Sequence, residues 1–122
     1  MTPNLHSIGK DQPLAVAHRL MKEHDLRHLP VLESGKLVGL ISERDLYYLE
    51  SVAGVDIETE LVEEAMTQDV YCASPDTKLR EVVLEMASRK YGCAVAVEGN
   101  KPVGIFTTTD AMQLLAAYLQ FA

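Results

Sequence analysis

Gly39, Ser42 and Asp45 stand at Gly-x-x-Ser-x-x-Asp spacing, and Gly104, Thr107 and Asp110 repeat the pattern with threonine for serine. Two chemistries fit such a triplet. A strand that ends at a hydroxyl and turns into a helix presents backbone N–H donors and the positive end of the helix dipole, which suits a phosphate or another polar ligand. The aspartate one turn into the helix can then accept both hydroxyls of a ribose. Ser-x-x-Asp and Thr-x-x-Asp are equally capping boxes, in which the acid reaches back to the N-cap amide and no ligand is needed. Spacing leaves both readings open, and duplication does not separate them because caps duplicate too.

Other combinations carry less. His24 and His28 are four apart, a metal-ligand spacing on one helix, but Leu26 and Pro30 end the helix between them. Cys72 and Cys93 fall in expected strands and read as small buried hydrophobes. The run Glu58, Glu60, Glu63 and Glu64 reads as a solvated face. No nucleophile, base and orienting acid come together, so neither an enzyme nor a required cofactor is expected.

The elements that position the two triplets are themselves duplicated. Residues 1–49 align with residues 66–114 without a gap, giving 11 identities that include Met1/Met66, Asp11/Asp76, Met21/Met86, Gly39/Gly104 and Asp45/Asp110. Each copy starts with an extended segment, Leu5 to Ile8 or Val70 to Ala73. An amphipathic helix follows, with Leu14, Ala17, Leu20, Met21 and His24 on one face, or Leu79, Val82, Val83 and Met86. His28 to Leu32 and Leu37 to Ile41 then form a hairpin, matched by one in which Gly99 and Asn100 supply positive φ angles. A second helix begins after Ser42 or Thr107. Gly54 and Asp56 break the link between the copies, and Leu61 to Ala65 form a helical turn. The expected fold is α/β (α+β): two β-α-β-β-α repeats, residues 1–58 and 59–122, packed by their sheets about a pseudo-twofold axis. The last helix, Asp110 to Ala122, is apolar on nearly every side, and Leu46, Tyr47, Tyr48, Leu49 and Val52 act similarly in the first copy, which predicts a helical homodimer interface.

Composition sets the outer bounds. With 122 residues, 48% hydrophobic and 24% charged, the chain is globular rather than disordered, and its apolar runs are too short to span a membrane. A net charge of −7 repels phosphate backbones and argues against nucleic acid as a partner. Two cysteines without Cys-x-x-Cys spacing, and an opening Met-Thr-Pro-Asn-Leu-His without a secretory pattern, point to the cytoplasm. The first copy lacks a counterpart of Leu61 to Ala65, as expected of a chain cut from a longer protein or beginning close to its domain edge.

The stretch Leu26, Arg27, His28, Leu29, Pro30, Val31, followed by Gly39, Leu40, Ile41, Ser42, Glu43, Arg44 and Asp45, resembles the hallmark of cystathionine-β-synthase (CBS) domains, and the repeat spacing fits a tandem pair, or Bateman module. The second copy carries Cys93, Ala94, Val95 and Ala96 where that family has a Pro-Val pair. The resemblance implies a regulatory sensor of an adenosine nucleotide, AMP or ADP favoured, with ATP or S-adenosylmethionine as further candidates, acting on an attached or separate effector domain. It also implies composite sites: one of Thr107, Thr109 and Asp110 with Thr2, Leu5, His6, Leu26, Arg27 and His28; the other of Ser42, Arg44 and Asp45 with Thr67, Val70, Tyr71, Tyr91 and Gly92. In the first set Arg27 and His28 are the cations available to phosphate. A ligand-free scaffold, with both aspartates acting as caps, is the competing reading.

Overall fold

A computed structural model describes residues 5–120 of the chain. Its order is β1 (Ile8–Gly9), α1 (Leu14–His24), β2 (His28–Glu33), β3 (Lys36–Ser42), α2 (Glu43–Glu50), then β4 (Cys72–Ala73), α3 (Leu79–Arg89), β5 (Cys93–Glu98), β6 (Lys101–Thr107) and α4 (Thr108–Tyr118), with a 3₁₀ turn at Val62–Glu64 before β4. Two three-stranded sheets result, ordered β1-β2-β3 and β4-β5-β6. The duplication extends to the ladder. His28 pairs with Ser42 as Cys93 pairs with Thr107, and the bulges at Val31/Leu32 and Ala96/Val97 fall at equivalent positions. The mixed α/β repeat expected from the sequence is present twice.

By contact the chain forms two compact units, His6–Val70 and Tyr71–Ala122, the second also taking in Leu5. In the first, Ile8, Leu14, Ala17, Met21, Leu29, Val31, Ile41, Leu46 and Val62 form the core. Val62 belongs there because the link folds back: Val62 N–H donates to the Gln12 carbonyl at 2.9 Å, Leu14 N–H to Glu60 at 2.8 Å and Ala15 N–H to Ile57 at 2.9 Å. Lys10 bridges Glu33 at 3.2 Å and Glu63 at 3.4 Å on the rim. The second core, Ala73, Val82, Met86, Ala94 and Phe106, is smaller, since alanines stand where the first unit has Ile8 and Leu29.

Several local expectations need correction. The extended segments at Leu5 to Ile8 and Val70 to Ala73 pair only over Ile8–Gly9 and Cys72–Ala73, as short edge strands that offer little to a stray chain. Ser34 and Gly35 both take positive φ, whereas in the second hairpin Gly99 alone does (+64°), so one glycine rather than a Gly-Asn pair turns that chain. His24, Leu79 and Val83 are exposed, because each helix buries a narrow stripe: Leu14, Ala17 and Met21 in α1, Val82 and Met86 in α3. Cys72 is exposed on the edge strand; only Cys93 is buried. Burial pushes the Cys93 thiol up to about 12, which keeps it protonated and unreactive. The last helix starts at Thr108, directly after its N-cap Thr107, where the sequence placed it. Among the described residues no helix is long and apolar enough to cross a membrane.

Candidate functional site

Each triplet is built by a strand that stops at its hydroxyl. Ser42 and Thr107 end β3 and β6 in extended conformation, with φ of −108° and −111°, and cap α2 and α4. In the first unit Asp45 N–H donates to Ser42 Oγ at 3.1 Å, while Asp45 Oδ2 accepts from Ser42 N–H at 3.1 Å and from Ser42 Oγ at 2.8 Å. In the second, Asp110 N–H donates to Thr107 Oγ1 at 3.2 Å and Asp110 Oδ2 accepts from Thr107 N–H at 2.8 Å. Both capping boxes are therefore complete. That does not exhaust either acid. A carboxylate has about four acceptor positions, and the cap bonds fall on Oδ2 alone.

The loop before the hairpin supplies the next wall. Helices α1 and α3 end on Asp25 and Lys90, both left-handed (φ +53° and +61°), and this reversal throws Leu26, Arg27 and His28, or Tyr91, Gly92 and Cys93, toward the helix start. The Arg27 carbonyl accepts from Glu43 N–H at 2.8 Å and the Gly92 carbonyl from Thr108 N–H at 3.0 Å. These two contacts had no signal within either motif; only the equal separations 27 to 43 and 92 to 108 hint at them. With the first and third amides taken, the Arg44 and Thr109 amides are, among the described residues, the first-turn donors left to meet a ligand.

The remaining candidates separate into local groups. Arg27 and Arg44 are exposed; His28, Ser42 and Asp45 are half-buried. Leu26 packs against the first core. His6 stacks on His24 with centroids 3.8 Å apart, a partner for His24 that its spacing to His28 did not suggest. Thr67 is exposed and pairs through its backbone with Leu40, and Val70 is half-buried beyond it. In the second unit Tyr71 and Tyr91 stack at 5.3 Å and 17°, Gly92 and Thr109 are exposed, and Thr107 and Asp110 are half-buried. Leu5 is half-buried; Thr2 lies outside the described residues.

Electrostatics divide the two helix starts. The first carries Glu43 and Asp45 beside Arg44, the second only Asp110 among hydroxyls. Burial holds His28 below the usual histidine range; Asp45 pulls it up, Arg27 pushes it down and Glu43 pulls it up again. Its Nδ1 is buried without a hydrogen-bond partner. A group depressed in this way is mostly neutral at pH 7, which leaves Arg27 as the charged member of the pair. The unfolded chain binds the proton more readily, so stability should fall as the pH drops below about 6.5 toward the folded value. We expect thermal melts to show this loss between about pH 7 and 5, and His28→Gln to make it smaller; an unchanged slope in the variant would exclude His28 as its source.

Comparison with known proteins follows the same geometry. A family model of the CBS domain matches residues 1–50 and 62–117. The CBS domain-containing protein YhcV of Bacillus subtilis is 29% identical over 110 residues, covering 90% of this chain and 78% of its own. AcuB of Vibrio cholerae superposes with a TM-score of 0.86 at 30% identity, over 98% of this chain and 89% of its own. The CBS domain pair of protein MJ0100, solved with 5'-methylthioadenosine and S-adenosyl-L-methionine, has the same fold, with a TM-score of 0.86 at 23% identity over 97% and 93% of the two chains.

Proposed function

The chain belongs to the CBS-domain family, and from that premise we propose that it is a regulatory module that binds an adenosine-containing ligand, AMP or ADP in preference to ATP, and passes the change to an attached domain or partner. We assign it no catalytic role and place it in the cytoplasm as a homodimer. The observation that supports this reading best is the pair of helix starts, each with an N-cap hydroxyl, an unused second amide and an aspartate whose Oδ1 takes no cap bond. In this reading Asp45 and Asp110 hold ribose, Ser42 and Thr107 with the amides of Arg44 and Thr109 hold phosphate, Arg27 and Arg44 supply charge, and the stacked Tyr71 and Tyr91 offer a face to adenine. Leu5, His6, Leu26, Thr67, Val70 and Gly92 complete the lining, and the MJ0100 ligands support the adenosine class.

The ranking of nucleotides follows from charge. A chain of net charge −7, whose first helix start adds Glu43 and Asp45, must draw a phosphate in against its own field. One guanidinium fork and a helix start match one or two phosphates; a triphosphate needs magnesium as well. Isothermal titration should show AMP and ADP binding more tightly than magnesium-free ATP, with affinity falling as salt rises. Tighter binding of magnesium-free ATP would refute the ranking, and adenosine equal to AMP would show that phosphate is not read. One alternative has its own support: both capping boxes close without a ligand, as a pure scaffold would require. Absence of any heat or melting shift with adenosine compounds would favour it.

A further inference from the structure

The start of α1 is covered by chain and the start of α3 is open. In the first repeat the link between the copies folds over the helix: Leu14 N–H donates to the Glu60 carbonyl at 2.8 Å, Ala15 N–H to the Ile57 carbonyl at 2.9 Å, and Val62 N–H to the Gln12 carbonyl at 2.9 Å. Pro13 and Leu61 pair as an isolated β-bridge, and Leu14 and Val62 are both 0% exposed. The equivalent positions, 65 residues on, are Thr77, Lys78, Leu79 and Arg80. Among the described residues the Leu79 and Arg80 N–H groups have no hydrogen-bond partner, and Lys78 caps α3 without a side-chain bond. Leu79 itself is 41% exposed. The same leucine is thus enclosed in one copy and offered to a partner in the other.

We propose that the surface around Leu79 at the start of α3 takes an extended acidic segment of the effector, with an apolar residue in the place that Val62 holds in the first repeat. The inference rests on the regulatory reading above, since an effector is its occupant, but it requires no nucleotide. The first repeat shows the shape of that occupant. It is a chain that bonds backbone to backbone with the helix start, as Ile57 to Val62 does, and sets an apolar side chain into the core. Charge gives its sign. Pro13 and Ala15 flank Leu14, whereas Lys78 and Arg80, both exposed, flank Leu79. Asp76 repeats Asp11, so Glu81 in place of Val16 is the one acid added between residues 76 and 81. The cover of the first repeat is itself acidic, with Glu58, Glu60, Glu63 and Glu64, and Lys10 meets Glu63 at 3.4 Å. Pro75 replaces Lys10 in the second repeat, and Lys78 and Arg80 are the cations there. On a chain of net charge −7, two added cations beside an open leucine fix where an acidic segment can land.

The probe is a synthetic peptide of residues 55–66, the first repeat's own cover, added to the isotope-labelled full chain and followed by NMR. The Leu79 and Arg80 amide resonances should move and saturate below about 1 mM peptide, while those of Leu14 and Ala15 stay in place. Leu79→Ala and, separately, Lys78→Glu/Arg80→Glu should each weaken binding about tenfold or more. A peptide carrying Val62→Asp should not bind, and added salt should weaken the wild-type peptide. All three substituted residues of the protein are exposed, so the variants should keep their helices, which circular dichroism checks. Leu79 and Arg80 resonances unmoved at that concentration overturn the proposal, whether or not AMP binds. So does binding that survives both protein variants, or that moves Leu14 and Ala15 instead, the sign of exchange at the first repeat. Peptide binding without any nucleotide binding would overturn the nucleotide reading and leave this surface assigned.

Discussion

Gly39→Ala should destabilise the first unit by about 1–3 kcal/mol, the cost of forcing a methyl into a closed space. A Cβ on Gly39 would lie 2.5 Å from Met66 Sδ and 2.9 Å from the Thr67 carbonyl oxygen. The thioether can swing aside. The carbonyl cannot, because Leu40 N–H donates to it at 2.9 Å and Thr67 N–H returns a bond to the Leu40 carbonyl at 2.9 Å. Denaturant melts of Gly39→Ala, Met66→Ala and the double variant would separate the two obstacles. We expect a shorter residue 66 to recover less than half of the loss, since the backbone clash persists. A Gly39→Ala protein within about 0.5 kcal/mol of wild type would mean that the strand edge yields.

That glycine shows how a motif can be seen and its parts misassigned. Gly-x-x-Ser-x-x-Asp invites a chemical reading of all three residues, yet Gly39 admits a crossing backbone and takes no part in the helix start. The sequence could not show this because the chain that crosses it begins at Met66, 27 residues away, and the identity of Met66 and Thr67 with Met1 and Thr2 marks the repeat without marking a strand partner. What periodicity and capping govern was legible: α1 from Leu14 to His24, both hairpins and both capping boxes. Tertiary choice was less so. Leu79 and Val83 fit the apolar face of α3 as well as Val82 and Met86 do, and only packing decides that the first pair stays out. The charge state of His28 likewise depends on burial and on Asp45, Arg27 and Glu43 around it, which spacing does not record.

The same capping geometry makes the two aspartates unequal, and Asp110→Ala is expected to cost more ligand affinity than Asp45→Ala. Asp45 Oδ2 already accepts two bonds from Ser42, whereas Asp110 Oδ2 accepts one from Thr107. Asp110 thus keeps more acceptor capacity for a ribose, and its helix start lacks the counterpart of Glu43 that would repel the phosphate. Loss of a bond between a ribose hydroxyl and a carboxylate is worth about 1.5–3 kcal/mol, roughly ten- to a hundredfold in affinity. Alanine also removes the acid that satisfies the Thr107 amide, a stability loss of about 1 kcal/mol. Asparagine separates these effects: its carbonyl can still accept from Thr107 N–H, so Asp110→Asn should keep most of the stability and still lose affinity with the charge. Titration of AMP into the three variants, beside their melting temperatures, reads both quantities. Affinity unchanged in Asp110→Ala and Asp110→Asn, with only the alanine less stable, would reduce Asp110 to a cap.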